Sequence, residues 1–248
     1  MRRVWAFAVL ALLVAASAGA AEQPVSFKSG DEQGMGVLVT PEGRGPFPAV
    51  IVIQEWWGLN DWVKQQARAL AQQGYLALAP DLYRGKATDR QEEAHQLMMG
   101  TPRDRALRDL QGAWAYLQSR PDVRKDRIGV IGWCMGGGYA LQLATVEPAL
   151  KAVVAYYGTP PTDPAALAAI KAPVMGNYGA EDKGPAPEQV KAFEDTLKKA
   201  GQPVDIKVYP GAGHAFANVN NPWGGYRKEA AEDAWARTTA FFSKYLKG

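Results

Sequence analysis

The only cysteine of this 248-residue chain lies in the segment Gly132-Trp133-Cys134-Met135-Gly136. A thiolate is a strong nucleophile, and glycines two positions before and after it permit the sharp strand-to-helix turn that lifts a nucleophile above a sheet. The apolar run 127–132 predicts the strand, and 136–144 predicts the start of the helix. The free N–H groups at the start of that helix would favour a thiolate and, later, an oxyanion. A small buried cysteine in a glycine-rich turn is the alternative interpretation.

Two further residues would complete a catalytic triad with this thiol. His214 follows the last predicted strand in a glycine-flanked loop, where an imidazole would take the thiol proton and return it to the leaving group. Asp182 follows the preceding strand and would orient the imidazole; Glu181 competes locally, and Asp205 is a poorer candidate because it lies within a strand. The other histidine, His95, lies in a polar helical segment typical of a surface. The order nucleophile, acid, histidine is that of α/β-hydrolases.

Alternating strands and helices would position these residues. Apolar runs predict strands at 34–41, 48–54, 75–80, 127–132, 152–157, 173–178 and 204–209. Between and after them, helices are predicted at 61–73, 89–99, 102–119, 164–170, 187–200 and 226–246. This alternation predicts an α/β-hydrolase fold, with a mostly parallel central sheet and helices on both faces. Ligands of such sheets bind at the carboxyl ends of the strands, where all three triad candidates fall.

The N-terminal residues have the pattern of a secretory signal peptide. Arg2 and Arg3 precede an apolar stretch, 4–16, and small residues follow it up to Ala21. We therefore predict a signal peptide over 1–21 and a single α/β-hydrolase domain over 22–248; a buried N-terminal strand is the alternative. Removing the two arginines leaves 26 basic residues against 25 acidic ones, a net charge of +1. Such a balance argues against a nucleic-acid partner or stable membrane association after cleavage.

Export would place the protein in the periplasm or outside the cell. One cysteine can form no internal disulfide, and an unpaired thiol in an oxidising compartment requires either a catalytic role or deep burial. The chain also lacks the second, resolving cysteine that a thiol-disulfide redox protein needs. Two distant histidines form no metal-ligand cluster, and no glycine-rich phosphate loop follows the first strand. We expect a monomer that acts on a small molecule without a metal or other cofactor.

The chain resembles the dienelactone hydrolase family over nearly all of the mature protein. The residues that carry the resemblance are Gln54-Glu55-Trp56-Trp57-Gly58-Leu59-Asn60, Ala79-Pro80-Asp81-Leu82-Tyr83, Gly132-Trp133-Cys134-Met135-Gly136-Gly137, Tyr178-Gly179-Ala180-Glu181-Asp182 and Gly211-Ala212-Gly213-His214-Ala215-Phe216. The resemblance implies hydrolysis of an activated ester or lactone by a Cys-His-Asp triad. Cys134 would attack the carbonyl to form a thioester that water hydrolyses, His214 would relay the proton, and Asp182 would hold His214.

The resemblance also implies roles for the residues around the triad. Glu55 matches a family glutamate that interacts with the thiol and helps to generate the thiolate when substrate binds. The backbone N–H groups of Trp56 and Met135 would form the oxyanion hole. Arg84, with a spacing that differs by one residue, and Tyr83 would bind the substrate.

The substrate is less well defined by the resemblance. The family's second carboxylate-binding arginine corresponds here to Asn218, which lacks a cationic fork. Arg227 lies farther along and has the setting of a solvated helix residue. Trp56 would line a pocket or pack in the core, and the segment containing Trp223 and Tyr226 would form a lid. A general exported carboxylesterase or thioesterase is therefore an alternative to a dienelactone hydrolase, and a non-catalytic periplasmic binding protein is a further one.

Overall fold

The computed structural model describes residues 20–248, so all but the last two residues of the predicted signal peptide lie outside the described range. Within that range the strands are β1 (Ala21–Ser29), β2 (Glu32–Thr40), β3 (Phe47–Ile53), β4 (Leu76–Pro80), β5 (Val123–Trp133), β6 (Ala152–Tyr156), β7 (Val174–Gly179) and β8 (Val204–Tyr209). The helices are α1 (Asp61–Gln72), α2 (Gln91–Met99), α3 (Arg103–Ser119), α4 (Met135–Val146), α5 (Pro164–Ala169), α6 (Pro187–Lys199) and α7 (Lys228–Phe242). A π-helical turn, Ser243–Lys247, follows α7. No helix among residues 20–248 has both the length and the apolar character needed to cross a membrane.

The strands form one sheet in the order β1-β2-β4-β3-β5-β6-β7-β8. β1 pairs antiparallel with β2, and β2 antiparallel with β4, whereas the remaining pairs are parallel. The mostly parallel sheet of the predicted α/β-hydrolase fold is thereby confirmed.

Side chains alternate between the two faces of the sheet, as the pleat of a strand requires. In β3, Ile51 and Ile53 belong to the core cluster that also holds residues of α3 and α4. Their neighbours Val50 and Val52 belong to the cluster on the other face, with residues of α1 and α7. The central strands are therefore buried on both sides, which explains why they are continuous apolar runs in the sequence.

Two strands differ from the prediction. β1 is absent from the strands predicted from the sequence, because its first four residues are exposed and polar or small, and because it contains Pro24. Proline is tolerated there because β1 is an edge strand, whose backbone groups on one side have no neighbouring strand to bond with. β5 starts at Val123 rather than at 127, since its charged residues Arg124 to Asp126 lie at the solvent-facing end of the strand.

Candidate active site

Cys134 lies in the turn between β5 and α4 with φ 54° and ψ −119°. This is a backbone conformation that residues with side chains rarely adopt, and the surrounding structure must hold it in place. A Cβ on Gly132 would clash with the backbone of Gly136, and a Cβ on Gly136 would clash with the carbonyl oxygens of Ile53 and Gln54. The two glycines therefore allow the close approach of β3, β5 and α4 that forms the turn.

His214 and Asp182 are brought together by the loops after β8 and β7. Nδ1 of His214 lies 2.9 Å from Oδ2 of Asp182, whose side chain is buried. A carboxylate can only accept, so Nδ1 donates this hydrogen bond and the imidazole orientation is fixed. The other oxygen of Asp182 accepts the backbone N–H of Gly184 at 2.9 Å. Asp182 is therefore itself held rigidly.

The competing residues are not brought to His214. Glu181 is exposed beside Asp182, and Asp205 pairs with Arg237 at 2.7 Å. His95 is exposed on α2. Among the acids weighed from the sequence, only Asp182 contacts the imidazole.

Cys134 lies close enough to His214 to affect its protonation. Burial lowers the pKa of His214, but the hydrogen bond to Asp182 and the neighbouring Cys134 outweigh burial and raise the pKa from 6.5 to about 10. The protonated imidazole is therefore favoured at neutral pH. An imidazolium beside a cysteine stabilises the thiolate form of the sulfur, which is the nucleophilic form.

Glu55 is fully buried next to this pair, at the end of β3. Its Oε2 accepts a hydrogen bond from Nδ2 of Asn218 at 2.6 Å, and its Oε1 accepts one from the hydroxyl of Tyr157 at 3.3 Å. Burial raises the pKa of Glu55 from 4.5 to about 7, although Asn218, the charge of His214 and Tyr157 act in the opposite direction. Asn218 and Tyr157 are the hydrogen-bond donors to Glu55 in the described structure, and Cys134 is not one of them.

Tyr157 links Glu55 to the triad. It follows β6 with a positive φ of 39°, and its ring packs edge-on against His214 with 5.2 Å between the ring centroids. Its backbone N–H donates to the carbonyl of Asn177, so the strained position is anchored. The sequence pattern did not indicate this residue; a bulky side chain with positive φ becomes visible only in the structure.

A cavity of about 600 Å³ opens over these groups. Its lining includes Cys134, His214, Trp56, Met135, Tyr157 and Arg103. The N–H groups of Trp56 and Met135 donate to no backbone or side-chain oxygen within residues 20–248, and so remain available to a ligand. The rings of Trp56 and Trp223 have centroids 5.8 Å apart, with Trp223 half exposed. Trp223, in the segment after His214, therefore packs against Trp56 of the cavity wall, although it does not itself line the cavity.

Two predicted substrate-binding residues do not line this cavity. The guanidinium of Arg84 points instead to Glu32 and to Asp109, with 3.1 Å between Nη2 and Oδ1 of Asp109. The assignment of Arg84 as a substrate ligand is corrected by these ion pairs, which hold its charge elsewhere. Tyr83 is buried, and its hydroxyl contacts the sulfur of Met135 at 3.4 Å, so it supports the wall of the cavity from behind.

Arg227 is also held elsewhere. It binds the backbone carbonyls of Gly211, Gly224 and Tyr226. In the part of the chain that is described, no group of three or more His, Cys, Asp or Glu side chains is arranged to hold a metal ion. The site therefore consists of a thiol, an imidazole, two carboxyl groups and free backbone donors.

The similarity to known proteins extends over the strands, helices and loops that carry this site. Residues 35–246 match the family model described as the dienelactone hydrolase family. The chain belongs to the dienelactone hydrolase family. It is a hydrolase, with the α/β-hydrolase fold that solved structures of the family share.

Several relatives of this family cover most of the chain. A protein of Methylorubrum extorquens that carries the assignment carboxymethylenebutenolidase is 35% identical over 219 residues, which cover 83% of this chain and 75% of that relative. The structure of a Klebsiella pneumoniae protein assigned as a dienelactone hydrolase is 31% identical, with a TM-score of 0.79, and covers 91% of this chain and 100% of its own. The metagenomic dienelactone hydrolase-like promiscuous phosphotriesterase P91 is 27% identical, with a TM-score of 0.84, and covers 92% and 100% of the two chains.

Proposed function

We propose that this dienelactone hydrolase family member cleaves carboxylic ester or lactone bonds through a Cys134–His214–Asp182 triad and a thioester intermediate. The observation that carries the proposal is the 2.9 Å hydrogen bond from His214 to the buried Asp182 beside a cysteine in a strand-to-helix turn. Nucleophile, base and orienting acid are the three parts that covalent acyl transfer requires.

The first half of the reaction forms the thioester. The Cys134 thiolate attacks the substrate carbonyl carbon. The carbonyl oxygen becomes an oxyanion that accepts hydrogen bonds from the backbone N–H groups of Trp56 and Met135. The tetrahedral intermediate then expels the alkoxide or enolate, which takes a proton from the His214 imidazolium. Asp182 keeps the imidazole in the orientation that this transfer needs.

The second half restores the enzyme. Neutral His214 takes a proton from a water molecule, which attacks the thioester carbonyl. Collapse of the second tetrahedral intermediate expels the thiolate and releases the acid, leaving the thiolate–imidazolium pair. A thiolate suits substrates with a good leaving group, because an enolate departs with little help.

Glu55 would adjust the charge of this pair. With a pKa of about 7 and a position near His214, it can change its charge at neutral pH and thereby affect the proton balance between the imidazole and the thiol. The family resemblance assigns a thiolate-generating role to this glutamate. In the structure its two oxygens are occupied by Asn218 and Tyr157, so that role would require the carboxyl group to leave these donors when substrate binds.

Two observations favour a general carboxylesterase as the second candidate. Arg84 is held by Glu32 and Asp109, and the Asn218 amide is used by Glu55. The side chains of Arg84 and Asn218 are therefore not free to bind the carboxylate of dienelactone. A thioesterase or a non-catalytic binding protein would share the same cavity.

The N-terminal pattern supports export, and we propose a periplasmic or secreted enzyme. Cell fractionation and N-terminal sequencing of the mature protein would test this, with cleavage after Ala20 or Ala21 expected. A product that retains residues 1–19 in the cytoplasm would contradict it. The monomeric state stays a prediction, which the sedimentation of the purified protein would measure.

The reaction itself is tested by turnover of the purified protein on cis-dienelactone and on p-nitrophenyl acetate, with Cys134→Ala as the control variant. We expect hydrolysis of at least the aryl ester, and its loss in Cys134→Ala. Turnover of dienelactone as well would identify the namesake reaction. Full turnover by Cys134→Ala would refute the triad, and the absence of turnover on both substrates would favour a binding protein.

A further inference from the structure

The cavity above Cys134 has one permanently charged residue in its lining. Of the residues between 20 and 248 that line it, Arg103 alone is a lysine, arginine, aspartate or glutamate. It stands at the first position of α3, where Nε donates to Oε1 of Gln142 on α4 at 2.9 Å. Gln142 lines the same cavity, so the contact directs the exposed Arg103 side chain toward the cavity wall.

The charge of Arg103 is not neutralised by the protein. In the described part of the chain, no aspartate or glutamate forms an ion pair with it, whereas Arg84, Arg108, Arg120 and Arg237 each pair with a carboxylate. Its terminal Nη groups donate to no protein atom there. Its field reaches the cavity lining: burial raises the pKa of Tyr139, and the charge of Arg103 acts in the opposite direction. A planar fork of free donors matches the two oxygens of a carboxylate.

The distance from Arg103 to the nucleophile limits the shape of the ligand. Gln142, which holds Arg103, lies eight residues after Cys134 along α4. At about 1.5 Å per residue, the Cα atom of Gln142 lies about 12 Å along the helix axis from that of Cys134. Because helical side chains lean back toward the N-terminus, the guanidinium that Gln142 holds lies on the order of 10 Å from the thiol. A compact lactone that carries its carboxylate near the reacting carbonyl could not contact both groups at once.

We infer that Arg103 is a specificity-determining residue that binds a distal carboxylate, so that this enzyme prefers extended esters with an anionic group roughly 10 Å from the reacting carbonyl. The inference rests on the proposed ester-hydrolase function and names its substrate class. It differs from the arrangement expected from Arg84, because the anion is held at the start of α3.

The test compares pairs of p-nitrophenyl esters that differ only in the distal group. One member of each pair is the half-ester of adipic, suberic or sebacic acid, and the other has its free carboxylate capped as a primary amide. We expect kcat/KM of the wild type to favour the half-ester, on the order of tenfold for the longer chains. In Arg103→Gln the ratio of kcat/KM for the half-ester to kcat/KM for the amide should fall to about one.

Arg108→Gln is the matched control. It removes the same charge from the same helix, but Arg108 pairs with Asp104 and lies outside the cavity. The half-ester preference should persist in this variant. Equal kcat/KM for both members of every pair in the wild type, or a preference that survives Arg103→Gln, would overturn the inference.

Binding to Cys134→Ala separates this inference from the proposed reaction. Calorimetry would measure the dissociation constants of the suberate half-ester and its amide for Cys134→Ala and for the double variant with Arg103→Gln. Tighter binding of the half-ester, lost in the double variant, supports the role of Arg103 even if the wild type hydrolyses neither ester. Equal binding of the two compounds to Cys134→Ala overturns the role, whatever the turnover.

Discussion

Replacing Glu55 by glutamine should remove a loss of stability that the wild type undergoes as the pH rises from 4.5 to about 7. The folded state binds the carboxyl proton more tightly than the unfolded chain does, because burial raises the pKa of Glu55 from 4.5 to about 7. This contribution to stability is complete below pH 4.5, is lost as the pH rises to about 7, and is constant above that. At about 1.4 kcal/mol for each tenfold change in proton affinity, the loss amounts to about 3 kcal/mol.

Glutamine can keep the hydrogen bond that Glu55 accepts from Asn218. Oδ1 of Asn218 accepts the N–H of Asn220 at 2.8 Å, which keeps Nδ2 directed at residue 55. The glutamine oxygen would accept from that Nδ2, and its amide would donate to the hydroxyl oxygen of Tyr157. Glu55→Gln therefore removes the ionisable group and keeps the contact with Asn218, whereas the buried Tyr157 O–H loses its acceptor. That loss carries a cost in stability that does not depend on pH.

Urea unfolding followed by tryptophan fluorescence measures the effect. The difference in unfolding free energy between Glu55→Gln and the wild type should grow by about 3 kcal/mol from pH 4.5 to pH 8.5, with most of the change below pH 7. Glu181→Gln removes the same charge from an exposed position and should give little change. A difference for Glu55→Gln that does not vary with pH would refute the reasoning from burial.

Three further outcomes are expected. Asp182→Asn should lower kcat at least about a hundredfold by releasing the His214 orientation, whereas Glu181→Gln should change kcat little; similar losses in both variants would count against the choice of acid. Gly136→Ala should cost about 3 kcal/mol or more of stability in thermal unfolding, because its Cβ would clash with backbone oxygens of β3; wild-type stability would show that the turn can relax. The charge on His214 is retained until the pH rises through about 10, so His214→Gln should slow the alkylation of Cys134 by iodoacetamide at pH 7 by about tenfold or more. An unchanged alkylation rate would show that the imidazolium does not assist the thiol.

The parts of the site that follow from local sequence could be predicted. The Cys134 turn depends on glycines two positions away. The loop of Asp182 follows a mostly apolar strand, and the loop of His214 follows a strand in which apolar and charged residues alternate. Because parallel strands end at one edge of the sheet, these three residues had to meet once the strand order was that of this fold.

The direction of long side chains could not be predicted. Arg84 turns to Glu32 on β2 and Asp109 on α3, which the chain brings to it from 52 and 25 residues away. Arg103 faces the cavity because Gln142, 39 residues later, binds it. The hydrogen bonds of Glu55 come from residues 102 and 163 positions away. Such contacts depend on the packing of several elements, which hydrophobic periodicity does not describe.

The thioester at Cys134 is best tested by trapping it. The wild-type protein would be mixed with the p-nitrophenyl ester of trimethylacetic acid, whose crowded thioester is hydrolysed slowly, and quenched with acid for intact-protein and peptide mass spectrometry. We expect one acyl group per chain, formed together with a stoichiometric burst of p-nitrophenolate, located on the peptide of Cys134 and absent from Cys134→Ala. An acyl group on another residue, or an equal burst in Cys134→Ala, would contradict Cys134 as the nucleophile.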